Sequence, residues 1–166
     1  MFGIDQLHPI FVHFPVAFLT LAAGTALWWV LTGGSVARQM TALLLTAGFL
    51  GAVAAYYTGD DMADAFASRP AVKLLVERHE DFALYTLVAS AAAAGAFIAA
   101  CLAQRSADRK GFDGPNRRLS VRLLCAALAL LTAALVGYTG HLGGLMTWST
   151  ELNRPAAAAP APATGR

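Results

Sequence analysis

Residues Pro9–Leu31 read PIFVHFPVAFLTLAAGTALWWVL, without a single Asp, Glu, Lys or Arg. A bilayer's hydrocarbon core is about 30 Å thick and is crossed by about 17–25 apolar helical residues. The stretch is therefore read as a transmembrane helix. No Lys or Arg precedes it, and it is too long for the apolar region of a signal peptide, so it is expected to remain as a span. Three more charge-free runs follow: Met40–Thr58, Phe82–Ala103 and Leu123–Thr150. The whole chain agrees, with 166 residues that are 57% apolar and only 13% charged. Soluble domains average about 25% charged residues. The expectation is an all-α, integral-membrane four-helix bundle.

The expected spans are about 9–31, 39–58, 80–104 and 120–141, within one domain covering 1–152. From 153 to 166 the chain turns to Ala and Pro, which cannot bury enough apolar surface to order itself and reads as a disordered tail. Positive charge sets the orientation. Arg105, Arg109, Lys110, Arg117, Arg118 and Arg122 cluster around the link between spans three and four, and Arg38 lies in the turn between spans one and two. Those links are expected on the cytoplasmic side of a bacterial inner membrane, with both termini periplasmic. Residues 105–118 read as a flexible link. Ser68 and Pro70 suggest a helix start on the outer side, with Val72, Leu75, Val76 and His79 sharing one face.

Stripes of small residues, Ala47-Gly51-Ala55-Gly59 and Ala129-Ala133-Gly137, permit the close helix approach that packing in lipid requires. Tyr57-Thr58-Gly59 and Tyr138-Thr139-Gly140 end the second helix of each hairpin, suggesting a pseudo-two-fold repeat of two hairpins. A net charge of +2, from 12 basic and 10 acidic residues, gives no footing for nucleic acid. Cys101 and Cys125 are too few for a disulfide framework or a cysteine metal site and read as packing residues.

The chemistry concentrates in four histidines, His8, His13, His79 and His141, all expected near the outer face. His13 stands inside the first apolar run, where an ionisable group needs a partner and is expected to face the bundle interior. Pro15 breaks the hydrogen-bond ladder beside it. Each histidine alone reads as an interfacial residue, and Trp28, Trp29, Trp148, Tyr56 and Tyr57 as an aromatic belt. Together the histidines point to a bound guest. Imidazoles on facing membrane helices suit b-type haem held by two axial histidines. His13 and His79 are the expected pair, His141 and His8 the second choice, and Arg78 lies where haem propionates would emerge. Copper or zinc on the same histidines is the alternative guest, and a structural subunit without cofactor is the third reading. No acidic residue lies within a span and no hydrolase motif occurs, so electron carriage or binding is favoured over hydrolysis or group transfer.

Leu7-His8-Pro9-Ile10-Phe11-Val12-His13-Phe14-Pro15 resembles the opening motif of the domain-of-unknown-function 2231 family of predicted bacterial four-helix membrane proteins. The likeness continues through Tyr57-Thr58-Gly59, His79 and Thr139-Gly140-His141-Leu142-Gly143-Gly144, covering about residues 5–150. Where many members continue Glu-Leu-Val-Tyr, this chain has Leu145-Met146-Thr147-Trp148. Fusion of some members to c-type cytochrome modules implies a redox or haem role. The expected partners are the lipid bilayer, with a quinone or a periplasmic cytochrome for electrons, and a homo-oligomer is left open.

Overall fold

The computed structural model describes residues 7–67 and 72–152. They form α1 (His8–Phe11), α2 (His13–Thr32), α3 (Ser35–Ala67), α4 (Lys73–Lys110), a 3₁₀ turn (Pro115–Arg117) and α5 (Leu119–Leu152). Four helices are long and apolar enough to cross a membrane, the first of them α1 and α2 taken together. The sequence expectation of a four-span helical bundle therefore holds. Each long helix packs against its two neighbours in a ring, α2 on α3, α3 on α4, α4 on α5 and α5 back on α2. Short α1 lies against α3. The helix start expected at Ser68–Pro70 lies outside the described residues, but Val72 and Val76 do turn inward as their spacing predicts.

Between membrane helices, lipid removes most of the hydrophobic drive, and close contact with interhelical hydrogen bonds replaces it. Small residues allow that contact. Ala22, Ala26, Ala93 and Ala129 are almost fully buried around Leu19, Leu45 and the stacked pair Trp29 and Phe97, whose ring centroids lie 5.3 Å apart. A Cβ on Gly51 would come within 2.9 Å of Phe14 Cβ and 3.1 Å of Pro15 Cδ, so α3 meets α2 there almost backbone to backbone. The stripe expected on α5 stops short. Ala129 is buried, whereas Gly137 is exposed with nothing beside it. Threonines add polar ties without charge. The Thr41 hydroxyl donates to Thr25 Oγ1 at 2.9 Å between α3 and α2, and Thr86 and Thr139 share a hydrogen bond of 3.1 Å between α4 and α5.

The basic end departs from the sequence reading in three respects. Arg38 is no loop charge: it sits in the first turns of α3 and is only 3% exposed. Residues 105–118 are not a loose link, because α4 continues to Lys110 and the remainder is tied down. Trp29 is no belt residue but fully buried, unlike its neighbour Trp28.

One residue joins all three. Asn116 Oδ1 accepts from Trp29 Nε1 at 3.0 Å and from Arg38 Nη1, while the Asn116 backbone N–H donates to Gln104 Oε1 at 2.8 Å. Gln104 in turn donates to Asp108 Oδ1 at 2.7 Å. Arg122 Nη1 donates to the Val30 carbonyl at 2.8 Å, at the last turn of α2, where a cation offsets the helix dipole. Gly33 ends α2 with a left-handed φ of 64°, and a Cβ there would strike the Asn116 carbonyl at 2.7 Å. Only glycine allows both the turn and the approach.

Replacing Asn116 with Ala leaves two buried donors, on Trp29 and Arg38, without their acceptor. A buried donor left without its partner costs about 1–3 kcal/mol, so N116A is expected to lower the thermal midpoint in detergent by several degrees. Asn116→Asp keeps the acceptor and adds a counter-charge for Arg38, and is expected to hold or raise it. Equal midpoints for wild type and N116A by circular dichroism would refute the assignment.

Candidate functional site

His8 opens α1, immediately before Pro9, and α1 ends after one turn at Val12. Pro15 has no N–H to return to the Phe11 carbonyl, and Val12 separates α1 from α2 as a turn. The backbone stays helical through Val12, at φ −63° and ψ −24°, and α1 lies against α3. The His8 ring then reaches across to α3. Its Nδ1–H donates to the Ala55 carbonyl at 2.9 Å, with Thr58 Oγ1 at 3.3 Å.

His79, in the second turn of α4, makes the matching contact with α5. Its Nδ1–H donates to the Thr139 carbonyl at 3.0 Å. Val72 and Val76, preceding it on the same face, are buried at 3% and 5% exposure. Thr86 continues the face and fastens it to Thr139. Each ring also has a glycine against its edge. A Cβ at Gly59 would lie 2.9 Å from His8 Cε1, and one at Gly143 would lie 3.3 Å from His79 Cε1. In each hairpin the glycine follows four residues after the carbonyl that holds the ring, one helical turn on and hence on the same face.

A carbonyl oxygen can only accept, so both Nδ1 atoms carry the proton and the neutral ring keeps its lone pair on Nε2. Metal-binding histidines are commonly held in this way, the non-ligating nitrogen donating to a carbonyl that fixes tautomer and ring orientation. Among the described residues neither Nε2 has a hydrogen-bond partner. Both rings are half-buried. The structure thus presents two pre-oriented imidazoles from different helices at one end of the bundle.

The other candidates stand apart. His13 does not face the interior as expected but is exposed, its ring donating to the Pro9 carbonyl at 2.5 Å. The partner that a polar group in an apolar run requires is supplied by its own helix turn. His141 is likewise exposed, 6.3 Å between centroids from the Tyr138 ring, beside the Phe82, Tyr85 and Tyr138 cluster. Arg78 is exposed next to His79. The construction of His79 is matched by His8, not by His13. The sequence signal for this was Gly59 and Gly143, glycines placed one turn beyond the carbonyls.

Four apolar helices long enough to cross a membrane, packed as a ring, define a multi-pass membrane protein. A match to the family of predicted membrane proteins called DUF2231 covers residues 5–154, and the chain belongs to that family. No curated protein and no solved structure matches the chain.

The two ring–glycine clearances predict a graded response. Gly→Ala in an open helix position stabilises by about 0.5–1 kcal/mol. Gly140→Ala, with nothing nearby, is expected to show that gain, and Gly143→Ala to be close to neutral. Gly59→Ala, the tightest, is expected to lower the melting midpoint. Thermal unfolding in detergent checks the order, and a Gly59→Ala variant as stable as Gly140→Ala would show that the His8 ring does not occupy this place.

Proposed function

We propose that the protein is a membrane-embedded b-type haem protein in which His8 and His79 would hold the haem iron, and that it carries electrons. The carrying observation is the pair of Nδ1–H bonds to the Ala55 and Thr139 carbonyls, which leave both Nε2 lone pairs free. Haem brings four ligands of its own and asks the protein for two, and that is the donor set at hand. Bound haem would supply one-electron chemistry, its potential tuned by ligand identity, hydrogen bonding and burial.

This chain's residues would do the rest. The Ala55 and Thr139 carbonyls fix the ring planes and make the imidazoles more basic toward iron. Buried Val72 and Val76 limit water around His79. Gly59 and Gly143 let each ring lie directly against its helix. Zinc fits less well, because its sites use three or four protein ligands, and among the described residues no group of three or more His, Cys, Asp or Glu is placed to hold a metal ion. The positions of Lys and Arg favour an inner-membrane orientation with the histidines on the periplasmic side. There a quinone in the bilayer or a periplasmic cytochrome could exchange electrons.

Purification in mild detergent after haem-supplemented expression tests the proposal. A Soret band that sharpens on reduction is expected in the wild type, in His13→Ala and in His141→Ala. It is expected to be lost or strongly weakened in His8→Ala and His79→Ala. Wild-type protein without a Soret band overturns the reading, as does full haem content in the His8 and His79 variants. Stoichiometric copper or zinc without iron would replace haem with the metal-ion alternative.

A further inference from the structure

At the end of the bundle away from His8 and His79, a groove of about 610 Å³ runs between α4 and α5. Its floor is one stripe of α4, Ala96, Ala99, Ala103 and Ala107, and its far wall is Val121 and Cys125 of α5. Lys110, Arg118 and the loop from Phe112 to Pro115 line it at the end nearer the link between α4 and α5. The one carboxylate there, Asp113, is engaged by Arg117 Nη1 at 2.9 Å, whereas among the described residues Lys110 and Arg118 have no acidic partner.

We propose that this groove holds one anionic phospholipid, its acyl chain along the alanine floor and its phosphate on Lys110 and Arg118. The dimensions fit. Ala96 and Lys110 are about 21 Å apart along the helix axis at 1.5 Å per residue, and half of a bilayer about 40–45 Å thick, headgroups included, is the same length. The charge-free part of α4 ends near Ala103, Lys110 follows about two turns later, at headgroup depth, and Arg118 lies just before α5. Alanines let a chain lie close to the helix backbone where larger residues would fill the space. Basic pockets between membrane helices are a recurrent way of recognising anionic headgroups. The loop that lines the groove is held rigid by the Asn116–Gln104 bond, so the site is built before a lipid arrives.

Native mass spectrometry of the full chain, exchanged into detergent with equal phosphatidylglycerol and phosphatidylcholine, reads out the preference. Each cation near the surface contributes about a fivefold bias toward anionic lipid, so phosphatidylglycerol is expected on the wild type at about 20–30-fold over phosphatidylcholine. Lys110→Ala or Arg118→Ala alone is expected to lose about fivefold, and the double variant all of the bias. Both positions are exposed, so folding should be unaffected. Ala103→Phe, which fills the groove, is expected to displace the lipid while leaving Lys110 and Arg118 in place. Equal binding of the two lipids, or a preference unchanged in the double variant, overturns the proposal. So does inorganic phosphate that displaces phosphatidylglycerol at millimolar concentration, because the site would then recognise free phosphate rather than a lipid.

Discussion

Every polar group that these helices carry into hydrocarbon has to be answered by protein, because the bilayer offers no hydrogen bonds. That constraint organises both ends of the bundle. Hydroxyls in the middle return to their own helix or meet another hydroxyl, as Thr41 does with Thr25. At one end, imidazoles are answered by the backbone carbonyls of Ala55 and Thr139. At the other, a buried arginine and a buried indole are answered together by one asparagine oxygen. Apolar packing fills the space between, but these polar matches decide which faces meet.

The two ends are built on opposite principles. Among the described residues the basic end engages Trp29 Nε1, Arg38 Nη1 and the Asn116 backbone N–H, and of its buried side-chain nitrogens and oxygens only Arg38 Nε and Arg122 Nε have no partner. Such a lock holds the link before α5 in place. The histidine end satisfies one nitrogen of each ring and leaves the other available.

The spans were legible because charge avoidance over a bilayer's width leaves its mark in composition, independent of packing. Which histidines reach across to a neighbouring helix was not. His13 looks interior because an ionisable group in an apolar run needs a partner, but the Pro9 carbonyl one turn back supplies that partner without any turn inward. Trp28 and Trp29 read alike as neighbours in a sequence, yet about 100° of rotation between successive residues at 3.6 per turn puts one against Phe97 and leaves the other outside. Asn116 carried no signal, since a loop residue has no periodicity to betray its direction. Gly59 was part of a visible stripe, but a stripe of small residues says only that something comes close, not that the something is an imidazole.

Burial of a single tryptophan at the heart of the polar lock makes the chain self-reporting. Trp28 and Trp148 stay exposed on the bundle surface, whereas Trp29 is shielded and hydrogen-bonded to a residue brought in from the link before the last helix. Its fluorescence therefore follows the docking of that link, so the final closure of the ring can be watched optically without adding a label.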